Sequence, residues 1–147
     1  MSTSTVGVVV REVTINASAE RIFRALTDPA QLPKWWGEPG QYQCEQMEVD
    51  LRVGGHYKTS GTGSDGQPFS VFGEYIRVEP PHLVEYTWNY SWGEGQPPTT
   101  VRFELREVGG GTIVRVTHSG FTAGEDRADH EAGWDRVLGW LRRYVEV

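Results

Sequence analysis

A lone cysteine, Cys44, leaves this sequence without a partner for an internal disulfide, which fits a reducing compartment. Basic residues are scarce too. Fourteen Lys and Arg stand against twenty Asp and Glu, a formal net charge of -6 with an isoelectric point near 5.2. That balance argues against nucleic acid, whose binding needs a basic footprint, and leaves room for a protein partner. Long apolar runs are missing: 6–10 is far too short for a signal peptide or a membrane span, so the cytosol is the expected location and no membrane contact is expected. There is no linker, repeat or low-complexity tract. Chemical signatures are equally sparse. No nucleophile elbow, carboxylate pair at a defined spacing or Cys/His dyad can be read, and Gly54-Gly55 lacks the Lys-Ser/Thr of a phosphate loop. His118, Asp126, Asp129 and His130 match no recognised zinc spacing, so neither a metal nor a cofactor is expected. Ser119 beside His118 makes no triad, because neighbours on a strand point to opposite faces.

What is present is a core. The chain has 147 residues, 37% apolar before its 18 glycines are counted, enough for one self-sufficient domain over 1–147. Its organising stretch is the last, 125–147. On a period of about 3.6 residues, His130, Trp134, Val137, Leu138, Leu141, Tyr144 and Val145 share one side, and Asp135, Arg136, Arg142, Arg143 and Glu146 the other. That is an amphipathic helix roughly 30 Å long.

Ahead of it lie mainly strands. Residues 8–15 read as a first strand, with Val8 and Val10 out of phase with Val13 and Ile15, which leaves a bulge or an apolar edge open. Ser18 or Asn16 can cap a helix with Ile22, Phe23, Ala25 and Leu26 inside, and a second short helix is expected from Pro29 to about Trp36. Strand signals then run from Gln41 through turns at Gly54-Gly55, Ser64-Asp65-Gly66, Pro80-Pro81, 93–98 and 109–111. Val84, Tyr86, Trp88, Tyr90 and Trp92 fall on one face; so do Val101, Phe103 and Leu105, and likewise Val114, Val116 and His118. Thr122 and Glu125 have the spacing of a capping box for the final helix. The fold class is α+β: one strand, two short helices, about six hairpin-linked strands, then a long helix. A meander of that length curls, and the final helix is the element left to cover its apolar face. A cavity between them is the expected by-product.

Several motifs then line up with a known family. Residues 17–29 (Ala-Ser-Ala-Glu-Arg-Ile-Phe-Arg-Ala-Leu-Thr-Asp-Pro) and Trp35-Trp36 resemble the opening of the START-like (SRPBCC) superfamily. Asp50-x-Arg-Val-Gly-Gly-x-Tyr57, Gly73-Glu-Tyr75, Glu79-Pro-Pro-His-Leu83, Tyr86-Thr-Trp88, Thr117-His-Ser-Gly-Phe121 and Gly133-Trp134 narrow the resemblance to homologues of the activator of heat-shock protein 90 ATPase. The resemblance implies a helix-grip fold: a curved antiparallel sheet of about seven strands wrapped on the C-terminal helix, with a pocket between.

Candidate cavity-lining residues follow from phase and from that fold: Trp35, Trp36, Tyr57, Tyr86, Trp88, Phe103, Val116, His118, Phe121, His130 and Trp134. Trp35 and Trp36 cannot face the same way, so one is expected at the pocket and the other in packing. His118 and His130 are either satisfied structural histidines or groups that offer hydrogen bonds and acid–base chemistry to the cavity. Gly133 costs about 1 kcal/mol in a helix interior relative to alanine, which points to a close approach of the sheet or of a ligand. Three functions compete. The first is a binding protein for a hydrophobic or aromatic, lipid-like or polyketide-like, small molecule. The second, carried by the resemblance, is a partner of heat-shock protein 90 that stimulates its ATPase. The third is a cyclase- or aromatase-type enzyme using a polar group, such as His118, His130 or Tyr57, in the same cavity.

Overall fold

Strand β1 (Val8–Ile15) ends at Ile15, and the chain turns into α1 (Ala19–Thr27) through Ser18, whose hydroxyl accepts the Arg21 N–H at 3.2 Å. The computed structural model describes residues 7–38, 43–91, 97–122 and 124–146, with the side chains at 125 and 126 outside that description. Helix α1 buries Ile22, Phe23, Ala25 and Leu26, the face its spacing predicts. The second helix, α2, is shorter than expected, Leu32–Trp35. Asp28 explains the difference: its carboxylate takes the Ala30 N–H at 2.8 Å and its carbonyl takes those of Gln31 and Leu32, so Pro29 sits in a turn and Pro33 occupies the first helical turn.

The remaining strands are β2 (Gln43–Val49), β3 (His56–Thr62), β4 (Pro68–Glu79), β5 (Leu83–Tyr90), β6 (Thr99–Val108) and β7 (Gly111–Ser119), followed by α3 (Gly124–Val145). They form one antiparallel seven-stranded sheet in the order β1-β7-β6-β5-β4-β3-β2. The strands β2 to β7 follow one another as a meander, and β1 closes on β7 at the far edge. With α3 across its concave face, this is the α+β helix-grip arrangement.

The β1–β7 register runs unbroken from Val8↔Ser119 to Ile15↔Thr112, so β1 holds no bulge. Val9 points inward instead, and Val10 is an exposed apolar side chain on an edge strand. The bulges lie elsewhere, at Glu45 in β2 and at Ile76 in β4. Each adds one residue and flips the phase, so Cys44 and Met47 share the inner face, as do Tyr75 and Val78.

Helix α3 lies against β1, while Trp134 meets Phe103 of β6 and His118 of β7. Trp134, Val137, Leu138, Leu141 and Val145 are buried there. Trp140, outside the expected stripe, is buried as well, and its indole N–H donates to Glu38 at 2.7 Å. The C-terminal carbonyls of Tyr144 and Val145 accept from the Arg21 guanidinium at 3.4 and 2.9 Å, which satisfies an end the helix cannot satisfy itself. The side chain of Glu125, one half of the expected capping box with Thr122, and Trp92 with most of the 93–98 loop, fall outside the described residues. No helix among the described residues is long and apolar enough to cross a membrane.

Candidate functional site

Because α3 covers the β1–β7–β6 side of the sheet, the concave face of β2 to β5 stays uncovered, and a cavity of about 610 Å³ lies above it. Leu26 and Thr27 of α1, and Leu32 and Trp36 at α2, form one wall. Cys44, Met47, Tyr57, Thr59, Val71, Tyr75, Tyr86 and Trp88 form the floor. His130, Gly133, Trp134 and Val137 of α3 form the other wall. The exposed lining residues mark the mouth: Ser64, Asp65, Gln67 and Pro68 of the β3–β4 hairpin, Ser91, and Asp129 and Arg136 of the helix.

Trp36, Tyr57, Tyr86, Trp88, His130 and Trp134 therefore line the cavity, and five candidates do not. Trp35 turns into the core and donates its indole N–H to the Ala25 carbonyl at 2.9 Å, leaving Trp36 to face the cavity. Phe103, Val116 and His118 have no accessible surface, and Phe121 packs its ring 4.4 Å from that of His118. The three strand residues point to the inner face as their phase requires, but under the helix, and Phe121, just past β7, is buried beside them. Phase tells which face a side chain takes; it does not tell which half of that face the helix covers.

Tyr75, absent from the candidates, belongs to the site. Its signal was the Gly73-Glu-Tyr75 motif read with a phase change after it. The motif has a physical cause. Gly73 stands opposite Tyr57 across β3 and β4, and the Tyr57 ring reaches the next strand, where its hydroxyl donates to the Thr87 carbonyl at 2.6 Å. The Glu74 N–H goes to the Thr87 hydroxyl at 2.9 Å instead of to a ladder carbonyl. A Cβ on Gly73 would overlap the Thr87 carbonyl oxygen, so only glycine fits. The Asp50–Gly55 turn holds the next inward residue from both sides: Gly54 donates to the Tyr75 carbonyl and Tyr75 donates to the Gly55 carbonyl, each at 2.9 Å. Gly54 takes φ +85°, a conformation glycine adopts without strain.

The rings of Tyr57, Tyr75 and Tyr86 cluster at centroid separations of 4.9 to 5.9 Å. Burial raises all three hydroxyls well above the ordinary phenol range, so they stay protonated donors. Burial also pushes the Cys44 thiol up to about 11, which keeps it a thiol.

A second aromatic cluster stands at the helix end. Trp36 lies 6.4 Å from Trp88 and 5.9 Å from Trp134, ring to ring. Behind them the Trp134 indole donates to His118 Nδ1 at 2.9 Å, and His118 Nε2 meets the Thr99 hydroxyl at 2.7 Å. An indole N–H only donates, so Nδ1 carries no proton and Nε2 does. Thr99 in turn donates its hydroxyl to the Trp88 carbonyl at 3.3 Å. Burial, and next the neighbouring His130, lower the His118 pKa to about 2. Of the two alternatives for His118, the satisfied structural histidine is the one observed. His130 differs: it borders the cavity, and its Nε2 accepts the Trp88 indole N–H at 3.2 Å. An added Cβ at Gly133 would meet nothing within 4 Å, so close approach to the sheet is not its reason; the glycine faces cavity space. Among the described residues no cluster of three or more His, Cys, Asp or Glu has metal-holding geometry.

Comparison with known proteins follows the same line. The family model for "Activator of Hsp90 ATPase homolog 1-like protein" matches residues 16–146. No match is found among curated proteins. A solved structure from Chromobacterium violaceum is 26% identical, covers 96% of this chain and 98% of its own, and superposes with a TM-score of 0.79. CalU16 from Micromonospora echinospora is 25% identical over 94% of this chain and 75% of its own, with a TM-score of 0.74. A protein from Rhodobacter sphaeroides, at 22% identity, shares the fold over 97% of this chain and 94% of its own, with a TM-score of 0.81.

Proposed function

The chain belongs to the family of activator of Hsp90 ATPase homologue 1-like proteins, and on that premise we propose that it binds a hydrophobic or aromatic small molecule between its sheet and its C-terminal helix. The observation that carries the reading is the cavity itself. Its 610 Å³ lies within the roughly 300–1,000 Å³ usual for small-molecule sites, and aromatic and aliphatic side chains form most of its wall. Polar groups sit sparsely inside, as phenols, the Thr27 and Thr59 hydroxyls, the Cys44 thiol and one imidazole, while charge stays at the mouth. Burying a flat or acyl body of modest size against such a wall is favourable at about 25 cal/mol per Å² of apolar surface. Catalysis would need a nucleophile or base whose proton can move near neutral pH. His118 is buried and held neutral, the phenols stay protonated, and the one imidazole at the cavity, His130, already accepts from Trp88.

The test is titration with a panel of lipids, flavonoids and polyketides, followed by tryptophan fluorescence and NMR shift mapping. Shifts centred on Trp36, Trp88, Trp134 and His130 are expected; silence across the panel would overturn the reading. Family membership supports a second reading, contact with Hsp90. Its check is the chaperone's ATPase rate with and without this chain, and an unchanged rate without detectable binding ends it.

A further inference from the structure

We propose that the cavity recognises a neutral carbonyl oxygen on a flat aromatic ligand, held by the hydroxyls of Tyr75 and Tyr86. The proposal rests on the binding reading above and adds the chemistry of the ligand. Among the described residues, every polar side-chain atom sealed from cavity and solvent has a hydrogen-bond partner. The Tyr75 and Tyr86 hydroxyls find no hydrogen-bond partner among the described residues, although Tyr75 is only 3% exposed and both residues line the cavity. Their oxygens therefore open onto the cavity. Tyr57, beside them, is already committed to the Thr87 carbonyl.

The two free phenols are placed side by side. Tyr75 and Tyr86 are direct cross-strand partners, the last pair before the bulge at Ile76, and their ring centroids lie 5.9 Å apart. The Gly54-Gly55 turn fixes the Tyr75 backbone through both its N–H and its carbonyl. Two donors on directly opposed residues of one face suit one acceptor with two lone pairs, as a ketone or quinone oxygen has.

Charge selects against the alternatives. Apart from the His130 ring, which already accepts from Trp88, Arg136 is the basic side chain in the lining, and it stands at the mouth with Asp65 and Asp129. A carboxylate brought to the two phenols would lose its hydration without gaining a counter-charge. Trp36, Trp88 and Trp134 supply the ring faces for a flat body.

The experiment compares fluorenone, fluorene and a fluorene carboxylate, three ligands on one skeleton, by calorimetry and tryptophan quenching. They are measured on the wild type, Tyr75→Phe, Tyr86→Phe and the double variant. The wild type is expected to bind fluorenone about tenfold more tightly than fluorene, the worth of about one net hydrogen bond, and to bind the carboxylate least. Each single variant should reduce the ketone preference, and the double variant should erase it, so that it binds fluorenone and fluorene equally. Neither substitution removes a hydrogen bond to a described residue, so thermal midpoints should stay within error of the wild type. Equal binding of ketone and hydrocarbon, a preference that survives the double substitution, or preferred binding of the carboxylate would overturn the proposal while leaving the cavity a binding site. Failure of all three probes to bind would overturn the proposal and count against the binding reading with it.

Discussion

Trp134 donates its indole N–H to Nδ1 of His118 at 2.9 Å, and that bond ties the cavity wall on α3 to the last strand of the sheet. Because the opposite nitrogen is tied to Thr99, the ring is fixed as the neutral Nε2–H tautomer. A buried ring locked in this state makes stability depend on pH.

The sign follows from where the proton goes. In the unfolded chain His118 titrates near 6.5; in the fold it binds a proton only near 2. Between those values the unfolded state holds the extra proton, so stability falls as pH drops below about 6.5, by up to about 1.4 kcal/mol per pH unit from this group. Above that range the contribution is constant. Urea denaturation from pH 8 to pH 5 should show the decline, and His118→Gln should flatten it. An equal slope in the variant would refute the assignment.

Gly133 sets cavity volume against helix stability. Its missing Cβ faces open space, so Gly133→Ala should raise stability by roughly 0.5–1 kcal/mol through helix propensity alone. Gly133→Phe should fold and lose ligand affinity at least tenfold, because the ring would occupy the cavity. Denaturation midpoints and ligand titrations of the two variants check both halves.

Adjacent tryptophans are expected to behave oppositely. Trp35→Ala removes a buried side chain and its bond to Ala25, a loss of about 3–5 kcal/mol. Trp36→Ala removes a half-buried cavity wall, so its effect on stability should be smaller and its effect on ligand affinity larger. Comparable stability losses in the two variants would contradict the division of roles.

Gly73→Ala should be far more damaging than an ordinary glycine replacement in a strand. The new methyl would overlap the Thr87 carbonyl oxygen, which already accepts from Tyr57, and backbone on both strands would have to move. A loss of about 1–3 kcal/mol is expected. Tyr57→Phe, which removes only the hydrogen bond, should lose about 1 kcal/mol. Thermal denaturation of the two variants separates the steric effect from the bonding one.

Arg21→Ala tests the far end of α3. The guanidinium reaches the last helical carbonyls and stacks over Tyr144 at 5.7 Å, so its removal should fray the final turn and cost about 1 kcal/mol. Amide exchange at the C-terminal residues should rise selectively; a uniform change would argue against a local role.

Periodicity carried much of the architecture. The clamp of Val137, Leu138, Leu141 and Val145, the inner face of α1 and the inward phase of β5, β6 and β7 were legible because each side chain's direction follows from its own helix or strand repeat. Bulges were not. The extra residues at Glu45 and Ile76 are set by pairing with the following strand, and the same pairing hid Cys44 and Tyr75 from a simple alternation. Trp140 was missed for a related reason: its partner, Glu38, comes from the chain segment after α2.

By itself, then, the sequence determined an acidic chain with an aromatic-rich inner face and a helix to cover it, because composition and repeat are local properties. Which aromatics remain uncovered was decided only by tertiary structure. Phe103, Val116 and His118 share the inward phase of Trp88 and Tyr86, yet α3 lies over the first set and leaves the second open to the cavity. One helix is narrower than seven strands, and where it comes to rest depends on the packing of Trp134, Leu138 and Leu141 against the distant edge of the sheet.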